Sequence, residues 1–190
     1  MRTKSRRGAD ESELREQRFD DLFAAHGRAV LAYAVRRTTE GQDAADVLAE
    51  TFLIAWRRLS DVPAGEGGLL WLYGVARRVL ANQQRSERRR QRLAQCLGDE
   101  LSRALPIAMP HEPNEHSVLQ ALAGLAPGDR EILLLAAWEE LSIPQISAVL
   151  EVSQIAARSR LHRARRRLQT SLTETGALDG AEKFNIQEAL

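Results

Sequence analysis

The stretch SIPQISAVLEVSQIAARSRLHRARRRL, residues 142–168, decides the fold. Ser142 can cap a helix, Gln145 three residues on completes a capping box, and Pro144 sits in the first turn, where a missing N–H is harmless. Ile146, Val149 and Leu150 give that short helix an apolar side. Glu151-Val152 makes a tight turn, Ser153 can cap again, and a second helix runs to about Leu172. On a helical wheel Ala157, Leu161, Ala164 and Leu168 share one face, which should pack on Ile146 and Leu150. The opposite face carries Gln154, Arg158, Ser159, His162, Arg163 and Arg166. Two short helices joined by a tight turn, the second of them basic, form the arrangement that lays a recognition helix in the major groove of duplex DNA. Gln154, Arg158 and His162 recur at four-residue intervals, where side chains reach base edges. Arg165 and Arg167 flank them and suit phosphates, which position without specifying. Residues 158–167 hold six arginines and no acid. On an idle surface those charges would repel one another along the helix, so they imply a polyanionic partner.

The sequence around this pair is helical in pattern throughout, with no strand-like alternation. Val118, Leu119, Leu122 and Leu125 predict one helix; Ile132, Leu133, Leu135, Ala136 and Trp138 predict another, and Pro127-Gly128-Asp129 separates them. Gly98, Pro106, Pro110 and Pro113 break helices over 98–116, a linker whose 101–109 stretch is apolar enough to dock. Residues 69–93 predict a long helix, apolar in its first half and arginine-rich in its second. Residues 60–68 are a Gly-rich loop by composition. Residues 43–59 repeat apolar side chains at helical spacing, with Asp43 placed as an N-cap or first-turn carboxylate. Residues 12–38 suit one or two further helices. The expected fold class is therefore all-α, two small helical domains joined by a linker. The boundaries are a disordered N-terminus at 1–11, a first domain at 12–95, a linker at 96–117, a helix-turn-helix domain at 118–172 and an acidic tail at 173–190.

A net charge of +1 hides strong segregation. Residues 77–92 carry seven arginines against Glu87, a second basic stripe, whereas residues 10–61 and 93–157 are acidic. Two stripes on an otherwise acidic chain read as two contacts with a polyanion. Only Lys4 and Lys183 of the 27 basic residues are lysines, and the planar fork of arginine suits phosphates and guanine edges. Along the first long helix Trp71, Tyr73, Arg77, Arg78, Asn82 and Arg85 recur beside the Gly-rich loop. Aromatic residues interleaved with arginines bind single-stranded DNA, by stacking plus backbone neutralisation. A duplex reader and a strand binder on one small chain suggest promoter recognition with melting.

Other function classes find no support. Cys96 is the only cysteine, so neither an internal disulfide nor a cysteine-built zinc site is available. His26, His111, His116 and His162 lack metal-ligand spacing. There is no Gly-rich phosphate loop, nucleophile elbow or acid/base pair, so neither an enzyme nor a cofactor is expected. No apolar run approaches the ~18 residues of a membrane span, and Met1-Arg2-Thr3-Lys4 leads into charged sequence unlike a secretory signal. A cytoplasmic protein is the expectation.

Three motifs resemble the extracytoplasmic-function (ECF) sigma factors, the minimal members of the sigma-70 family of bacterial RNA polymerase. Residues 42–53, Gln-Asp-Ala-Ala-Asp-Val-Leu-Ala-Glu-Thr-Phe-Leu, resemble the family's D-A-x-D-x-x-Q-x-T-F helix. Residues 71–78, Trp-Leu-Tyr-Gly-Val-Ala-Arg-Arg, resemble its W-L-x-x-I-A-R-N segment. Asp129-Arg130-Glu131 through Ser159-Arg160-Leu161-His162-Arg163-Ala164-Arg165 resembles its C-terminal helix-turn-helix.

The resemblance implies a sigma-two domain followed by a sigma-four domain. The helix at 43–59 would dock on core RNA polymerase at the largest-subunit clamp through Asp43, Asp46, Glu50 and Thr51, with Phe52 in the core. The loop at 60–68 and the helix from Trp71 would recognise and open the minus-ten element. The last helix would read the minus-thirty-five element through Gln154, Arg158, Ser159, His162, Arg163, Arg165 and Arg166. The polymerase flap and an anti-sigma factor are further expected partners. Departures are local. Glu50 replaces the usual Gln, Arg78 and Asn82 stand where Asn and Asp are frequent, and Ile155-Ala156-Ala157 replaces a frequent Gly-Thr-Val run. Glu151 occupies a turn position where Gly is common, at a cost of roughly 1 kcal/mol if φ is positive. The alternative reading is a helix-turn-helix repressor or activator that works without polymerase. If the six arginines of the last helix contact phosphates, duplex binding by the second domain should weaken with salt at a log–log slope near −5, measured by fluorescence anisotropy.

Overall fold

The computed structural model describes residues 3–38, 40–97 and 113–174, all helices and their connections. The chain divides into two compact units, Met1–Leu101 and Ser102–Leu190. The stretch 98–112, most of the expected linker, and the acidic tail beyond residue 174 lie outside the described residues.

Unit 1 contains α1 (Thr3–Val35), α2 (Gly41–Arg57) and α3 (Glu66–Leu97). The single helix α1 begins well inside the 1–11 stretch expected to be disordered; that stretch has no proline, and its charged residues are tolerated in helices. The helices pack pairwise through Val30, Tyr33 and Ala34 of α1, Ala44, Val47, Phe52 and Ala55 of α2, and Leu72, Val75, Ala76 and Val79 of α3, all buried. Phe52 lies edge-on to Phe19 and Phe23, with ring centroids 6.1 and 4.8 Å away, and Phe19 is also edge-on to Trp56 at 5.2 Å. Asp43 is in the first turn of α2, as its sequence position suggests, and Glu40 precedes the helix as the N-cap residue.

The connection from α2 to α3 is tighter than a free loop. Leu59–Asp61 forms a turn of 3-10 helix, and Leu59 and Val62 are buried. Arg18 of α1 donates to the Val62 carbonyl at 2.8 Å, and Arg15 donates to the Trp56 carbonyl at 2.8 Å. Gly65 has φ of 64°, the left-handed region that glycine enters freely, and α3 starts one residue later. A β-carbon at Gly68 would stand 3.1 Å from the Pro63 carbonyl oxygen, so glycine there lets α3 begin against the loop.

Unit 2 contains α4 (Pro113–Gly124), α5 (Pro127–Ala137), α6 (Ile143–Leu150) and α7 (Gln154–Glu174). Four successive residues of α5, Ile132 to Leu135, are buried. α7 contributes Ala157, Leu161, Ala164, Leu168 and Leu172, which is the face its period predicts, extended by one turn. Of α6, Ile146 and Val149 are buried, whereas Leu150, expected in that contact, is half-buried. The capping chemistry read from sequence is present: Gln145 Oε1 accepts from the backbone N–H and the hydroxyl of Ser142, both at 2.8 Å, and Ser153 Oγ accepts from the Ala156 N–H at 3.2 Å. Glu151 closes α6 in the left-handed region at φ 55° and ψ 45°. Glu151→Gly should therefore stabilise unit 2 by up to about 1 kcal/mol, less the entropy glycine adds to the unfolded chain. Urea unfolding monitored by circular dichroism checks this; a destabilised variant would contradict it.

Candidate nucleic-acid interface

The outward face of α7 is built as its period requires. Gln154, Arg158, Ser159, His162, Arg163 and Arg166 are all exposed. Arg165 is half-buried and, with Arg158 and His162, lines a shallow cavity of about 360 Å³ that reaches Ser142 and Ile143 at the start of α6. Two arginines thus converge beside the capped start of α6.

Adjacent residues 129 and 130 of α5 reach in two directions, Asp129 to α7 and Arg130 to the end of α4. The Arg130 guanidinium donates to the Leu122 carbonyl at 2.8 Å, to the Leu125 carbonyl at 3.4 Å and to the Ala123 carbonyl, occupying acceptors that the end of α4 leaves open. Asp129, its side chain 15% exposed, forms an ion pair with Arg167 of α7. Arg167, expected as a phosphate contact, sits on the flank turned toward α5 and bonds a carboxylate there, with its side chain still 59% exposed.

Ile155 was missed as a candidate. It is 84% exposed in the first turn of α7, beside Gln154. The sequence signal was available, because an apolar residue occupies the polar side of the wheel.

In unit 1 the expected strand-binding residues separate. Tyr73 is 4% exposed and stacks on Tyr33 with centroids 4.9 Å apart, while the Arg37 guanidinium covers the other ring at 3.6 Å from its centroid. Its ring belongs to the core and is not offered to a base. Trp71 is half-buried, and the Arg58 guanidinium lies 5.9 Å from its ring centroid. Arg58 is paired with Asp61 at 2.7 Å, and the hydrogen bond from Arg58 holds the Asp61 carboxyl below its ordinary value. Arg77 is half-buried; Arg78, Asn82 and Arg85 are exposed, with the Arg85 guanidinium donating to Asn82 Oδ1 at 2.6 Å.

Asn82 faces α2. It lines, with Val79 and Gln83, a groove of about 720 Å³ whose other wall is Asp46, Ala49, Glu50, Leu53 and Ile54. Asp43, Asp46 and Glu50 are exposed. Thr51 is fully buried, and its hydroxyl has no hydrogen-bond partner. It is a core residue, not a polymerase contact, because it falls on the stripe of Ala44, Val47 and Ala55. A second cavity, about 380 Å³, lies between α1 and the 60–68 loop, with Asp21, Leu22 and His26 facing Val62, Pro63 and Ala64. Asp21 and His26 escaped sequence reasoning because only the fold brings them to the loop.

One helical unit with a basic recognition helix, and another carrying an arginine helix and an acidic groove, together define a DNA-binding protein of transcription. A model for sigma-70 region 2 matches residues 22–90 and one for sigma-70 region 4 matches residues 115–168. The RNA polymerase sigma factor CarQ of Myxococcus xanthus is 32% identical over 160 residues, covering 82% of this chain and 90% of CarQ. The ECF sigma factor SigL of Mycobacterium tuberculosis is 28% identical over 165 residues, covering 82% and 89%. The solved structure of CnrH in complex with the cytosolic domain of CnrY has 27% identity and a TM-score of 0.59, covering 82% of this chain and 88% of CnrH. The sigma factor RpoE of Bartonella quintana, solved with the anti-sigma factor NepR, shares the fold at 24% identity and a TM-score of 0.63, covering 82% and 96%.

The chain belongs to the sigma-70 family, as an ECF sigma factor. It acts in transcription initiation, with core RNA polymerase and promoter DNA as partners, in a family that is generally non-enzymatic; the repressor reading is set aside. Among the described residues no helix is long and apolar enough to cross a membrane. Arg166→Ala should flatten the salt slope of duplex binding by about 0.9, the share of one phosphate contact. Arg167→Ala should leave the slope unchanged and lower the urea midpoint. A flatter slope for Arg167→Ala would return that residue to the phosphate set.

Proposed function

We propose that the two units divide promoter recognition, unit 2 reading the minus-thirty-five element as duplex and unit 1 binding the opened minus-ten strand, in a cytoplasmic protein with no catalytic activity. The observation that carries this reading is the exposed arginine face of α7, set on a helix whose other side is wholly buried. Arg158 and His162 read base edges, with Gln154 and Ser159 beside them, and Arg163, Arg165 and Arg166 hold phosphates. In unit 1, Trp71 supplies a stacking surface, Arg77, Arg78 and Arg85 neutralise the strand, and the cavity under the 60–68 loop accepts an unstacked base.

Core polymerase docks on the groove between α2 and α3. Asp43, Asp46 and Glu50 give this region a negative edge that repels a DNA strand and attracts a basic protein surface. Asn82 lines the same groove as Asp46 and Glu50, so it is assigned to the polymerase contact and not to the minus-ten strand. Leu53, 42% exposed, supplies the apolar part. An anti-sigma factor is proposed as a competing partner, on the precedent of CnrH and the cytosolic domain of CnrY.

In vitro transcription with bacterial core polymerase and a promoter library tests the whole. Added chain should select promoters that share two spaced elements, and transcripts that do not depend on the chain would overturn the reading. Joint replacement of Asp46 and Glu50 by arginine should weaken core binding by at least tenfold and leave duplex binding by the free chain intact. Arg158→Ala should relax sequence preference at the upstream element only.

A further inference from the structure

Ile155 is the one exposed large apolar side chain of unit 2 among the described residues. It stands in the first turn of α7, the part of a recognition helix that contacts base edges. Three, four and seven residues on, Arg158, Ser159 and His162 share its side of the helix, and all are exposed. The buried stripe of Ala157, Leu161, Ala164 and Leu168 occupies the opposite side. Ile155 therefore lies at the middle of the basic face.

A lone apolar side chain ringed by polar and cationic groups is a poor protein-docking patch, which needs contiguous apolar surface. The apolar group that the major groove presents is the 5-methyl of thymine. Isoleucine in contact with that methyl sheds water from both partners. Opposite cytosine it leaves the exocyclic amine without an acceptor, so it favours thymine over cytosine without a hydrogen bond of its own. We propose that Ile155 is a specificity-determining residue of α7, reading one thymine of the upstream element through its 5-methyl group. This rests on the assignment of α7 to that element.

The test removes the methyl group from either side. An upstream element is selected from a random duplex library with the holoenzyme, and each of its thymines is replaced singly by deoxyuridine. At one position the wild-type protein should bind deoxyuridine about fourfold more weakly than thymine, the effect of one buried methyl group. Ile155→Ala should bind the two alike at that position, and its unfolding midpoint should be unchanged because the side chain is exposed. Indifference of the wild type to every replacement would overturn the proposal. So would an Ile155→Ala protein that keeps the discrimination, or one that loses affinity for core polymerase in the absence of DNA. A library that yields no upstream element at all would instead remove the α7 assignment, and the proposal with it.

Discussion

A helix that carries six arginines and no acid over ten residues is held in place by what lies behind it. Like charges three and four residues apart each destabilise a helix by roughly 0.2–0.5 kcal/mol, so a handful of such pairs costs about 1–2 kcal/mol. Leu161, Leu168 and Leu172 are buried on the other face, and each contributes roughly 1.5–3 kcal/mol. Burial wins by a wide margin, which lets α7 keep a charge density that water alone would not support. The same burial fixes the rotation of the helix about its axis. The residues turned outward are then decided by those turned inward.

Unit 1 solves a related problem along the length of one helix. The first half of α3 is largely buried among α1 and α2, and residues 82–90 farther along are mostly exposed and basic. Its aromatic residues divide between the two tasks, since Tyr73 packs on Tyr33 while Trp71 stays half-exposed under Arg58. The α2–α3 groove then sets carboxylates and amides side by side, chemically unlike the arginine surface farther along the same helix. Opposite charge on neighbouring surfaces suits the division of partners proposed above.

Most of the fold was legible from periodicity and capping, because both are local. The stripe through Ala157, Leu161, Ala164 and Leu168 and the Ser142–Gln145 pair needed no knowledge of the rest of the chain. What escaped depended on distant segments. The pairing of Arg167 with Asp129 needed α5, and the groove that Asn82 shares with Asp46 and Glu50 needed α2, so neither neighbourhood could be read locally. Tyr73 reads as a strand-binding residue from spacing alone, yet an aromatic ring at a helical interval serves a core and a stacking surface equally well, and its ring is buried. Thr51 was the exception, a local error: its place on the apolar stripe outweighed its hydroxyl. Ile155 stood in the sequence only as a departure from the pattern of the family, and its exposure on the polar side of α7 came from the structure.

The hold of Arg130 on the last carbonyls of α4 has a mechanical meaning. Tension arriving along the chain ahead of Pro113 enters unit 2 through α4, whose far end is clasped by a side chain of α5. α4 also packs directly on α7, so the clasp of Arg130 and the Asp129–Arg167 ion pair tie α4, α5 and α7 together behind the outward face of α7. A pull on α4 is therefore shared by the three helices that build the core of unit 2.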